Sequence, residues 1–163
     1  PKNPSTDYLI IIENGSLTLS STADISVVRT AIIFIFTGNN TKASAINFPN
    51  GTGHTATLAI SPPTNADNPW KGIAIYQNPA LTYKVANDWG PGATLSVDGV
   101  IYLPNSDVEL QGNASSNANQ CTKLVTKTFT TKGSVSMDFS QVTADCRIIG
   151  MQQWSDTPIH LVN

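Results

Sequence analysis

Asp107 and Glu109 stand on either side of Val108, and on an extended strand residues two apart share a face. A carboxylate pair placed in this way could supply the acid and base of glycoside hydrolysis, or two ligands of a calcium ion. It is the chain's one close acidic pair of this kind. Enzymes built on β-coils gather several carboxylates on one sheet face, often with an arginine. Here the arginines are Arg29 and Arg147, and Arg147 adjoins Cys146. The pair therefore reads as two solvated residues flanking a buried valine.

A nucleophilic triad would need His54 or His160. His54 lies in the turn-like Gly51-Thr52-Gly53-His54, His160 is three residues from the end, and no Gly-x-Ser-x-Gly elbow occurs. Neither histidine is assigned to catalysis, and two so far apart build no metal centre. No cofactor and no catalytic residue is expected.

Cys121 and Cys146 are the two cysteines, and neither sits in a Cys-x-x-Cys spacing. A disulfide between them is the expected state, the alternative being two unpaired thiols. It would imply an oxidising compartment.

Thr126, Thr128 and Thr130 alternate along one run, as do Thr55 and Thr57. A threonine ladder that binds ice must recur on successive coils, and the matching positions after Ile73 and Val100 are not threonine pairs. Trp70, Trp89 and Trp154, with Tyr76, Tyr83 and Tyr102, are candidate interaction aromatics that could stack on sugars. Residues of this kind more often cover a core at loops and ends. Asn14-Gly15-Ser16, Asn39-Asn40-Thr41, Asn50-Gly51-Thr52 and Asn113-Ala114-Ser115 match glycosylation acceptors, as chance allows in a chain so rich in Asn, Ser and Thr.

The elements that must carry these residues announce themselves by repetition. Ser44 to Asn50, Gly72 to Pro79 and Gly99 to Asn105 are each an apolar run closed by Pro-Asn or Asn-Pro, and they place Ile46, Ile73 and Val100 27 residues apart. A further interval lands on Lys127. Such a period belongs to stacked coils, each unable to bury its own apolar face alone. Period-2 alternation recurs at Leu17 and Leu19, Leu58 and Ile60, Leu95 and Val97, Val108 and Leu110, and Val135, Met137 and Phe139, whereas helical spacing is absent. On this basis Ile73 and Val100 are expected to point inward from equivalent places, and Thr94 and Ser96 to face water.

The sequence thus predicts one all-β domain over residues 1–163, a parallel β-helix (β-solenoid) of about six coils. Two loop excursions break it, Ser61 to Pro69, whose prolines cannot feed a ladder, and Tyr83 to Pro91. The alternative is an antiparallel β-sandwich.

Charged residues make up 12% of the chain, its net charge is -2, and no run of either sign occurs. Nucleic acid and a polybasic membrane contact are therefore excluded as partners. Neither Tyr8 to Ile12 nor Thr30 to Phe36 is long enough for a signal core or a membrane span. A mature or excised fragment of a longer, membrane-anchored protein is expected.

Taken in order, Tyr8 to Leu19, Ile32 to Gly38, Trp70 to Gln77, Gly99 to Asn105 with Leu110 to Asn113, and Cys121 to Val125 with Gly133 and Cys146 resemble the C-terminal domain of TadG-like proteins. These are bacterial proteins associated with the tight-adherence (Flp) pilus-assembly system. The resemblance spans about Tyr8 to Cys146, and its most specific parts are the Gly-x-Ile-Tyr-x-Pro-Asn phrase and the cysteine pair. It implies an upstream membrane helix and an extracytoplasmic β-rich domain, periplasmic, surface-bound or secreted. It brings no active site. The chain departs from the pattern in lacking the membrane segment and in the aromatics of Tyr83 to Pro91, which leaves room for a role outside pilus assembly.

The expected function is that of a non-enzymatic structural or assembly domain whose partners are pilus-assembly or cell-surface proteins, or copies of itself. The rivals are a self-assembling filament subunit or adhesin, and a carbohydrate-binding or carbohydrate-active β-helix.

Overall fold

The computed structural model describes residues 7–20, 22–27, 30–40, 46–48, 55–82, 86–112, 115–116, 121–135 and 146. Among them are twelve strands and no α-helix. The strands are β1 (Tyr8–Glu13), β2 (Leu17–Thr18), β3 (Asp24–Ser26), β4 (Ile32–Thr37), β5 (Ile46–Asn47) and β6 (Thr57–Ile60), then β7 (Ile73–Gln77), β8 (Ala86–Trp89), β9 (Thr94–Val97), β10 (Gly99–Gln111), β11 (Ser115–Ser116) and β12 (Thr122–Lys132).

The main sheet runs β1-β4-β7-β10-β12, with β8 beside the second half of β10. A second sheet runs β3-β6-β9-β11, and β2 pairs with β5. Every one of these pairings is parallel, so the antiparallel sandwich does not describe the chain. The chain passes β1, β2, β3, then β4, β5, β6, then β7, β8, β9, and each pass lays its first and third strands on those of the pass before. The main sheet has five such layers among the described residues, where about six coils were expected.

The composition explains the strands. β6 (Thr-Leu-Ala-Ile) and β9 (Thr-Leu-Ser-Val) bury every second residue, and their register sets Leu58 beside Leu95 and Ile60 beside Val97. From the main sheet Phe34, Phe36, Ile75, Ile101 and Leu103 enter the same core. Each large apolar side chain withdrawn from water in this way contributes about 1.5–3 kcal/mol. Rows of like shape stack because the parallel ladder repeats the same position on every layer.

The repeat expected from the sequence is corrected in two places. Val100 does pair with Ile73, but Ile46 pairs with Leu17 in another sheet, and the β12 partner of Val100 is Lys123, not Lys127. A fixed interval fails because it also counts loop residues. Phe34 and its β7 partner Ile75 are 41 positions apart, with the 61–72 loop between them, whereas Gly99 and its β12 partner Thr122 are 23 apart.

Ile73 and Val100 are equivalent but half-buried, and the inward row is Ile75 and Ile101, both essentially inaccessible. β7 carries one extra residue between the two pairings, a bulge that lets both strands aim an isoleucine inward. Thr94 and Ser96 do alternate with buried Leu95 and Val97, and both are half-buried.

The Ser61 to Pro69 stretch leaves the sheets as expected and closes on itself through the Gly72 N–H, which donates to the Pro63 carbonyl at 3.0 Å. Tyr83 to Pro91 is not an excursion as a whole. Its Ala86–Trp89 segment is β8, laddered to β10 from Ala86↔Asp107 to Leu110↔Trp89. Asn and Asp are poor strand formers, but burial of Trp89 outweighs that preference.

Gly99 opens the Gly-x-Ile-Tyr phrase at φ +98°, and a Cβ there would stand 2.7 Å from Pro62 Cγ and 2.8 Å from the Gly72 carbonyl oxygen. Only glycine fits where that loop meets β10.

Candidate functional site

Asp107 and Glu109 lie on the outer face of β10, with Val108 buried between them. β8 places Asp88 in register with Glu109, so three carboxylates share this face. Sequence reasoning missed Asp88, because 21 residues separate it from Glu109 and only the β8–β10 register brings them together.

The partners of these groups define what the face can do. Asp107 Oδ1 accepts a hydrogen bond from the Thr128 hydroxyl at 2.5 Å. Glu109 Oε2 meets Lys132 Nζ at 2.8 Å, and its other oxygen accepts from Gln111 Nε2 at 2.5 Å. The hydrogen bond and charge of Lys132 lower the Glu109 pKa and keep it ionised. A glycosidase acid needs the opposite shift, toward a protonated carboxyl at neutral pH. The arrangement braces β10 against β12 across the sheet surface.

Among the described residues no group of three or more His, Cys, Asp or Glu side chains is arranged to hold a metal ion. His54, His160, Arg29 and Arg147 lie outside the described residues.

The candidate aromatics divide. Trp89 is 1% exposed, its indole N–H donates to the Ile46 carbonyl at 3.1 Å, and its ring meets Phe48 edge-on at 6.4 Å. It is a core residue and presents nothing to a ligand. Trp70 is half-buried and sets its ring against Tyr76 at 5.2 Å and 63°, while Tyr76 and Tyr102 stack at 5.5 Å and 13°. The two tyrosines turn their faces to each other, whereas a sugar platform offers a ring face to solvent. Trp154 lies outside the described residues.

The Cys121–Cys146 disulfide is present, with Cα atoms 5.3 Å apart. The Cys121 N–H donates to Asp98 Oδ1 at 3.1 Å and its carbonyl accepts from the Gly99 N–H at 2.6 Å, so the bridge enters β12 already fixed to the start of β10. A disulfide is compatible with an oxidising, extracytoplasmic location.

Among the described residues the exposed large apolar side chains gather on β1, where Tyr8, Leu9, Ile10 and Ile11 are 54%, 47%, 38% and 59% exposed. Among the described residues β1 pairs only with β4. At the opposite side of the main sheet β12 pairs, among the described residues, only with β10, and it lines a groove of about 380 Å³ with Thr122, Lys123, Leu124, Thr126 and Phe129. No helix among the described residues is long and apolar enough to cross a membrane. Comparison of the chain with protein-family models, curated proteins and solved structures finds no match.

Proposed function

We propose that this chain is a parallel β-solenoid acting as a non-enzymatic structural or assembly module outside the cytoplasm, at a cell surface or in a pilus system of the tight-adherence type. The observation that carries the reading is the repeated pass through the strand stacks in one order, from β1 to β12 among the described residues. An architecture of this kind meets its neighbours through its ends and faces. The bonds that Asp107 and Glu109 make to Thr128, Lys132 and Gln111 support a bracing role for them. The disulfide supports the location, and the resemblance to TadG-like domains supports the pilus setting.

The test replaces the gene by one encoding Asp107→Asn with Glu109→Gln, and follows surface assembly together with cleavage of a polysaccharide panel. Assembly is retained and no polysaccharide is cut if the reading holds. A polysaccharide cut by the wild type and spared by the double variant would replace it with the carbohydrate-active alternative.

A further inference from the structure

Two tyrosines occupy one position on neighbouring layers. Tyr76 of β7 and Tyr102 of β10 are direct partners in the parallel ladder, although 26 positions separate them along the chain. Neighbouring strands lie about 4.7–4.9 Å apart, and parallel partners leave the sheet in the same direction. The two rings accordingly stack on the outer face, with 5.5 Å between centroids and 13° between planes, and both are half-buried. Such a stack contributes to packing. It also holds two phenols where their chemistry can meet.

A phenol that loses an electron and its hydroxyl proton carries its unpaired electron partly on the ring carbons beside the oxygen, and two such carbons join when they meet. Tyr76 has the Trp70 ring against it at 5.2 Å and 63°, and Tyr102 stacked on it. A radical formed on either tyrosine therefore finds the other phenol already beside it, at an effective concentration that free encounter does not reach. Among the described residues the remaining tyrosine is Tyr8, whose β4 partner is Ile32, so no second pair of tyrosines is in register there.

We propose that Tyr76 and Tyr102 form an oxidative cross-linking site, closed as dityrosine between the third and fourth strands of the main sheet by a haem peroxidase acting with hydrogen peroxide. Each phenol gives up one electron and one proton, and the two radicals join through a ring carbon ortho to each oxygen. The hydrogen on each joined carbon then leaves as a proton and an equivalent proton restores each hydroxyl. One hydrogen peroxide takes up the two electrons and two protons and becomes two waters. The new carbon–carbon bond ties one layer to the next and constrains the unfolded chain as a disulfide of similar span does. The site requires only the β7–β10 register and does not depend on the pilus or assembly reading.

The test treats the folded protein, at micromolar concentration, with hydrogen peroxide and a haem peroxidase, and reads the products by peptide mass spectrometry and dityrosine fluorescence. A monomer lighter by two hydrogens, with Tyr76 joined to Tyr102, is expected, and its denaturation midpoint should rise. Tyr76→Phe and Tyr102→Phe each keep a ring in the stack and should each abolish the bond, whereas Tyr8→Phe and Tyr83→Phe should keep it. Protein unfolded in guanidinium before oxidation should lose it. A parallel reaction with a small photo-oxidant, tris(bipyridine)ruthenium with persulfate, removes access of the peroxidase as a variable. Tyr76 and Tyr102 recovered unlinked from both reactions, dityrosine found only between molecules, or a Tyr76–Tyr102 bond that forms as readily in the unfolded chain would each overturn the proposal.

Discussion

The backbone N–H of Ile46 donates to Oδ1 of Asn87 at 2.6 Å, and Asn87 is completely buried. β5 and β8 share no ladder, and this side chain spans the gap where ladder bonds would be. Its Nδ2 reaches the Asp107 carbonyl at 3.4 Å, so one amide connects three successive layers. The indole N–H of Trp89 and the N–H of Phe48, which donates to the Asp88 carbonyl at 2.9 Å, complete the seam.

Asn87→Leu keeps the volume but leaves the Ile46 N–H without its partner. An orphaned buried donor costs about 1–3 kcal/mol, and denaturant unfolding should show a loss of that size. Asn87→Asp keeps the acceptor but buries a charge that no cation near it meets among the described residues, and it should be worse. Equal stability of wild type and Asn87→Leu would remove the seam from the account.

The disulfide closes a loop of 25 residues, for which the chain-entropy model gives about 3 kcal/mol. Unreduced protein should take up no alkylating reagent, and reduced protein should take up two equivalents. Cys121→Ala with Cys146→Ala should lower the denaturation midpoint. Two reactive thiols before reduction would contradict the bridge.

Ile101 and Val100 test which way β10 faces. Ile101→Asp places an unpaired charge in the core and should prevent folding of a domain of ordinary stability. Val100→Thr, on the outer row, should cost less than about 1 kcal/mol. If the two variants unfolded at similar denaturant concentrations, the inward assignment would be wrong.

The strand content, the Ser61 to Pro69 loop and the disulfide were legible because each depends on local chemistry: alternation, a missing proline donor, an isolated cysteine pair. Inward and outward were not legible in Val100-Ile101-Tyr102, because the outer row at this level is itself apolar from Ile11 to Val125 and no polar residue marks the water side. Ile46 was placed in the wrong stack because sequence intervals count loops whereas register counts only strands. The same limit concealed Asp88, whose place beside Glu109 is a property of the β8–β10 ladder. Trp89 looked available because aromatic side chains near glycine and proline suggest a loop, and its burial depends on Ile46 and Phe48, about 40 residues away.

The Glu109–Lys132 pair gives the chain a pH-sensitive surface brace. Lys132 lowers the Glu109 pKa in the folded state, so Glu109 binds its proton less readily there than in the unfolded chain. The stabilisation is therefore present above the unfolded carboxyl pKa and is lost as pH falls through the lowered folded value. Both groups keep solvent contact, so salt should weaken the effect. Lys132→Met should move the Glu109 titration, followed by side-chain carboxyl NMR, back up toward the ordinary glutamate range, and Glu109→Gln should flatten the acid limb of the stability curve. An unchanged Glu109 titration in Lys132→Met would show that the ion pair does not set its protonation. The side-chain link from β10 to β12 on this face would then rest on the Thr128–Asp107 hydrogen bond.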